Sequence, residues 1–238
     1  ISPRRLTFLA TADSGSLEVE YTGTRSRQMQ VVISNVQPAY RRDMLLEVAT
    51  LFMLLGALSR DRVGMLYCSP STSSFQRPVP GRKSMMATAT RLLTQAPPPL
   101  DGPVQCELPW RFLRHAIPRR SLLLWLGPFI PGERPEAWRD LQQRYQVVAV
   151  RADDPWDIEL PHSAAFSAYD PVAGRMTVLN PASTSEREAH ARWARRREAY
   201  LRELFPLHTD RLLINCAADP VEAIRRHFRD QAAQGRQA

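Results

Sequence analysis

Short, mostly apolar runs constrain this chain more than any other feature, because five of them recur between longer stretches of helical character. They are Met29 to Ile33, Val63 to Cys68, Leu122 to Leu126, Gln146 to Val150 and Leu212 to Cys216. Each is too short and too apolar for a surface helix, and turn formers such as Pro38, Pro70, Gly127-Pro128 and Asp154-Pro155 bound them. A strand that reads apolar at every position is buried on both faces, as a parallel strand between two helix layers is. The intervening periodicity predicts helices over 41–59, 83–95, 108–117, 134–144, 184–205 and 219–233. The alternation therefore predicts an α/β class: a doubly wound, mainly parallel sheet with helices on both faces. Residues 29–238 read as this domain with a C-terminal extension, and 1–28 as an N-terminal segment ending an upstream region.

Two of the helices carry start signals. Ser185 with Glu188 has capping-box spacing, and Asp219-Pro220 places an N-cap before a proline at the first helical position. The helix over 41–59 has apolar side chains all round, with Met44, Val48, Leu51 and Leu55 on one face and Leu46, Met53 and Ala57 opposite. Such a helix is buried on every side, packed between the sheet and another element, or offers one face to a partner or to residues upstream of this chain.

Charge is less informative than its net value of +8 suggests, because 31 of the 32 cations are arginines spread along the chain and Lys83 is the only lysine. Three cysteines without CxxC spacing, Cys68, Cys106 and Cys216, argue against a disulfide framework or a zinc site. Val48 to Ser59, the longest charge-free apolar stretch, has 12 residues against the ~20 needed to span a bilayer.

Motifs for nucleotide binding and nucleophilic catalysis are absent. There is no GxGxxG, and Gly81-Arg82-Lys83-Ser84 lacks the glycine nest that lets backbone amides wrap a phosphate. There is no GxSxG, and the five histidines have no repeated ligand spacing. Asp153, Asp154, Asp157 and Glu159 form the densest acidic cluster, just after a strand, where open α/β sheets place ligands. They could do acid/base work, or cap backbone amides and pair with Arg151. The helix bearing Arg187, Arg192, Arg195, Arg196, Arg197 and Arg202 reads as a solvent face, laced by Glu186, Glu188, Glu198 and Glu203, or as a nucleic-acid surface.

An ordered series of short strings identifies a relative. Arg60-Asp61-Arg62-Val63-Gly64-Met65-Leu66 after a long apolar helix resembles the helix-to-strand step of the DUF58 family, whose members contain a von Willebrand factor A-like domain. Pro80-Gly81-Arg82, Val147 to Arg151 leading into Asp154-Pro155, Glu159-Leu160-Pro161, and Asp170-Pro171 with Gly174-Arg175 follow in the family's order. Near the start, Leu6-Thr7-Phe8 stands where the family has Ile-Asp-Trp.

The resemblance implies a Mg²⁺ or Mn²⁺ site on the carboxyl edge of the sheet. Such a site uses hard oxygen ligands: Asp-x-Ser-x-Ser after the first strand, a Thr from a later loop and an Asp after the fourth strand. Here the first string reads Ser34-Asn35-Val36-Gln37-Pro38, the Thr position falls near Cys106 and Glu107, and the last Asp falls on Gly127 or Pro128. A divalent ion deprived of both aspartates has little to offset its dehydration, so the site is expected to be degenerate and to hold no metal or other cofactor. Ser34, Asn35 and Glu107 could still gather a water or a weak ion.

By the same resemblance the chain is expected to be a non-enzymatic protein-interaction module with no catalytic residues, partnered by a MoxR-type AAA+ ATPase in complex assembly or envelope maintenance. Its place would be cytoplasmic, with the full-length protein tethered to the inner membrane. The expected binding edge comprises Ser34, Asn35, Gln37, Tyr40, Cys106, Glu107, Pro128 and Phe129, with Tyr40 and Phe129 supplying apolar contact. Two rival readings are a hydrolase using the acidic loop Asp153 to Glu159 and an Arg-rich nucleic-acid binder.

Overall fold

A computed structural model describes residues 28–34, 39–69, 73–94, 108–132, 134–170 and 175–235. Apart from Gln28, the expected N-terminal segment 1–28 lies outside them. The five apolar runs form strands β1 (Gln28–Ser34), β2 (Arg62–Cys68), β4 (Leu122–Leu126), β5 (Gln146–Asp153) and β8 (Arg211–Asn215). They pair in parallel, and β3 (Ser73–Val79) adds an antiparallel edge, so the sheet order is β3-β2-β1-β4-β5-β8. Strand order reverses between β1 and β4, the switch point of a doubly wound fold. The expected class is the observed one.

Alternation along the strands feeds two cores. Met29, Val31 and Ile33 of β1 point to one side, where they join α1 (Ala39–Leu58), α2 (Arg82–Leu93) and α7 (Pro220–Gly235). Val32 points to the other, toward α3 (Trp110–Ala116), α4 (Trp138–Arg144) and α6 (Thr184–Leu204). That second core is aromatic: Trp125 lies 4.8 Å from Trp110 and 5.7 Å from Trp138, and Trp138 lies 5.2 Å from Phe205, all edge to face. This is the arrangement that ring quadrupoles favour.

Helix α1 packs on the sheet, α2 and α7 and buries Leu45, Val48, Ala49, Phe52 and Met53, but Asp43, Glu47 and Leu58 reach solvent. It is thus not buried on every side. Helix α6 begins two residues before the expected box: Ser183 is its N-cap and accepts from the Glu186 amide, while the Glu186 carboxylate takes the Asn180 amide. Asp219 caps α7 as its spacing predicts, accepting from the Val221 amide at 2.8 Å.

Three strands were not expected. Edge strand β3 carries Pro78 and no apolar run, since only one side of it is paired. β6 (Phe166–Asp170) and β7 (Arg175–Leu179) form a separate antiparallel pair inserted between β5 and α6, preceded by the single-turn helix α5 (Pro155–Ile158).

Candidate functional site at the carboxyl edge of the sheet

All five parallel strands deliver their carboxyl ends to one edge, and β5 ends there on the acidic loop. Asp154 caps α5 by accepting from the Trp156 amide at 2.8 Å, Pro155 follows at the first helical position, and Asp157 closes a capping box on the Asp154 amide at 2.9 Å. This reciprocal pairing satisfies donors that a helix start leaves open. It also orients the Asp157 carboxylate away from solvent, with 12% of its side chain exposed.

Three arginines from three elements converge on those acids. Arg41, in the first turns of α1, grips Asp157 with Nη2 at 3.0 and 2.8 Å from its two oxygens. Arg151 of β5 donates to Asp153 from Nε at 3.0 Å and Nη2 at 2.8 Å, and Nη2 also reaches Glu198 at 3.0 Å. Arg197 of α6 places Nη1 3.0 Å from Asp153 and 3.2 Å from Asp157, and its Nε donates to the Pro128 carbonyl at 3.1 Å. The arginines are 6, 6 and 3% exposed. Three guanidiniums thus face Asp153, Asp157 and Glu198, and Arg202 at 2.9 Å and Arg211 at 3.8 Å also reach Glu198.

Burial is the largest influence on Arg197 and pulls its pKa below the ordinary value, while Asp153 and Asp157 oppose it. Burial pushes the Glu198 carboxyl up, yet the guanidiniums of Arg151 and Arg202 outweigh it and leave the pKa below its usual range. The cluster ties β5, α1, α5 and α6 together through these ion pairs. Removing one member of such a buried set strands a charge, which costs about 3–5 kcal/mol.

The acidic loop accordingly follows the reading in which its carboxylates cap amides and pair with Arg151. Asp153 and Asp157 meet over the guanidinium of Arg197. No group of three or more His, Cys, Asp or Glu side chains able to hold a metal occurs among the described residues. Cys216, just past β8, is no better a nucleophile: burial foremost pushes its thiol up to about 11.

The expected binding edge is brought together only in part. Ser34 ends β1 beside Cys68, and Tyr40 lies in the first turn of α1. Asn35, Gln37, Cys106 and Glu107 lie outside the described residues. Pro128 is partly buried and spends its carbonyl on Arg197. Phe129 does not supply surface contact: at 3% exposure its ring lies 4.6 Å from Trp125 and 5.9 Å from Phe205, and its φ of 48° folds the chain back to put it there. The aromatic core takes the residue that the family resemblance placed on the rim.

What the edge does expose is the insertion. Trp156 and Ile158 of α5 are 50 and 71% exposed, and Met176 and Val178 of β7 are 57 and 67% exposed. The Trp156 ring leans on Phe166 at 4.9 Å, tying the hairpin to α5, and the Trp156 carbonyl meets His190 Nε2 of α6 at 2.7 Å. In the register of the hairpin Ser167 opposes Val178 and Tyr169 opposes Met176, so Met176 and Val178 share one face. The period-two spacing of Met176 and Val178 was the available signal for that face. Nothing in the local sequence distinguishes Arg41 and Arg197 as buried.

A family model described as "Protein of unknown function DUF58" matches residues 25–200. The chain belongs to the DUF58 family. The match starts just before β1 and ends within α6, so it takes in the switch point, the acidic loop, the ion cluster and the hairpin of this DUF58 domain. No curated protein matches the chain. The Arg-rich stretch that closes the match is divided in use, since Arg197 is buried, Arg192 and Arg202 pair with Glu188 and Glu198 four residues earlier, and Arg195 and Arg196 face solvent.

Proposed function

We propose that this DUF58 domain is a non-enzymatic interaction module that engages a protein partner through its carboxyl-edge insertion and works without a bound metal. One observation carries the reading: four large apolar side chains, Trp156, Ile158, Met176 and Val178, stand half or more exposed on an insertion anchored by a buried ion cluster. Exposed apolar groups on a rigid mount are what hot spots of binding are made of. The carboxylates that would serve an enzyme at this edge are held by arginines instead.

On the family's resemblance the fold is von Willebrand A-like with a degenerate metal site, the partner is a MoxR-type AAA+ ATPase, and the domain lies in the cytoplasm with the full-length protein tethered at the inner membrane. No helix among the described residues is long and apolar enough to cross a membrane, so a tether would lie outside them.

The test is co-purification of the full-length protein with a MoxR-type ATPase. The double substitution Ile158→Glu, Val178→Glu is expected to abolish capture while leaving the thermal midpoint unchanged, since both side chains face solvent. Retained capture by that variant would refute the assignment of the surface. A midpoint raised by millimolar Mg²⁺ would refute the metal-free reading, because only a ligand of the native state shifts it.

A further inference from the structure

The opposite edge of the sheet carries a different chemistry. Three turns lie there, two of them taken with the first residues of the element that follows: residues 59–62 from the end of α1 into β2, 80–83 from the end of β3 into α2, and 117–121 between α3 and β4. They hold Arg60, Arg62, Arg82, Lys83, Arg119 and Arg120, all exposed, and none is in an ion pair among the described residues. The one acid in these turns is Asp61, which is 6% exposed. Register places them side by side: Gln28 pairs with Arg62, Met29 with Leu122, and Val63 with Val79, so the turns straddle β1 within about 10 Å, two strand spacings, on either side.

Three further features belong to this rim. Helix α2 starts on it with Gly81 as N-cap, no side-chain cap and no acid in its first turn, so its open amides add to the positive field. Leu58, the last residue of α1, is 75% exposed, the most of any large apolar side chain among the described residues. Arg60, immediately after it, sits at φ 58° in a helix-ending turn in which Arg60 N bonds Ala57 O and Asp61 N bonds Gly56 O. Glycine is the ordinary occupant of that position.

We propose that this amino edge docks on an anionic lipid surface, with the arginines and Lys83 against headgroup phosphates and Leu58 entering the acyl boundary. Charge complementarity favours this occupant: six cations on a turn-built strand edge match a two-dimensional array of negative groups, and one protruding aliphatic side chain among them matches the layer beneath. A single-stranded nucleic acid fits less well, since none of these turns contains an aromatic side chain on which a base would stack. The surface is distinct from the carboxyl-edge insertion, so a domain held this way would point its insertion away from the bilayer.

The test is co-sedimentation of the protein with vesicles of phosphatidylcholine alone and of phosphatidylcholine doped with phosphatidylserine, at about 0.1 M salt. Binding is expected to the doped vesicles only and to fall with added salt. The variant Arg62→Glu, Arg82→Glu, Arg119→Glu is expected to lose roughly a hundredfold or more in affinity, from about fivefold for each cation near the surface. Leu58→Ser should lose a few-fold. Reversing Arg187, Arg195 and Arg196, all exposed on α6, changes net charge equally and should largely preserve binding. Circular dichroism reports whether each variant is folded.

Equal loss in both triple variants would show a net-charge effect and overturn the assignment. Equal binding to neutral vesicles, or none to doped ones, would overturn it too. Retention of duplex DNA or RNA that the rim variant abolishes, without vesicle binding, would transfer the surface to nucleic acid.

Discussion

Arg197 and Arg120 show how differently one residue type is used at the two ends of one sheet. At the carboxyl edge Arg197 is 3% exposed and lies within 3.2 Å of two carboxylates. At the amino edge Arg120 is exposed, holds φ 66°, and pairs with no acid among the described residues. The first arrangement meets the desolvation cost of a guanidinium with fixed counter-charges, and it welds elements distant in sequence. The second leaves the guanidinium hydrated, where it contributes almost nothing to stability and its field extends a Debye length, about 8–10 Å, into solvent. A net charge of +8 averages over these two populations and describes neither.

The comparison fails first if the buried cluster can be opened cheaply. Asp157→Ala removes a partner from both Arg41 and Arg197 and one arm of the α5 capping box, so a loss of about 3–5 kcal/mol is expected by denaturant unfolding. A loss below about 1 kcal/mol would mean that water already compensates these charges.

A smaller effect concerns pH. Because the Glu198 carboxyl sits below its usual range in the folded protein, its contribution is complete above the unfolded value of 4.5 and disappears as pH falls through the folded one. Thermal midpoints below pH 4.5 should therefore fall less steeply in Glu198→Gln than in the parent, although the variant starts from a lower midpoint at neutral pH. Parallel acid limbs would contradict the depressed pKa.

The smallest effect has the opposite sign and belongs to the other edge. Arg60 occupies a left-handed position that glycine adopts without steric cost, so Arg60→Gly should stabilise the fold by up to about 1 kcal/mol. If the substitution destabilises, Arg60 makes a contact that the exposed-rim description omits.

Much of the architecture was readable because its causes are local. Apolar runs as short as Leu122 to Leu126, bounded by turn residues, read as strands buried on both faces, and Asp219-Pro220 marks a helix start by its own geometry. The edge strand β3 and the hairpin β6–β7 escaped because strands paired on one side, or standing apart from the main sheet, need no continuous apolar pattern. The site was less legible. Phe129 and Trp156 look alike as large aromatic residues next to a proline, yet one fills a core and the other faces solvent.

By itself the sequence determined the class of fold and the family, since periodicity and motif order are properties of the chain alone. Only the tertiary structure decided which of its many arginines are neutralised and which are offered to solvent. Desolvation and pairing depend on groups as far apart as Arg41 and Asp157, 116 residues distant in sequence, and no local pattern records that meeting.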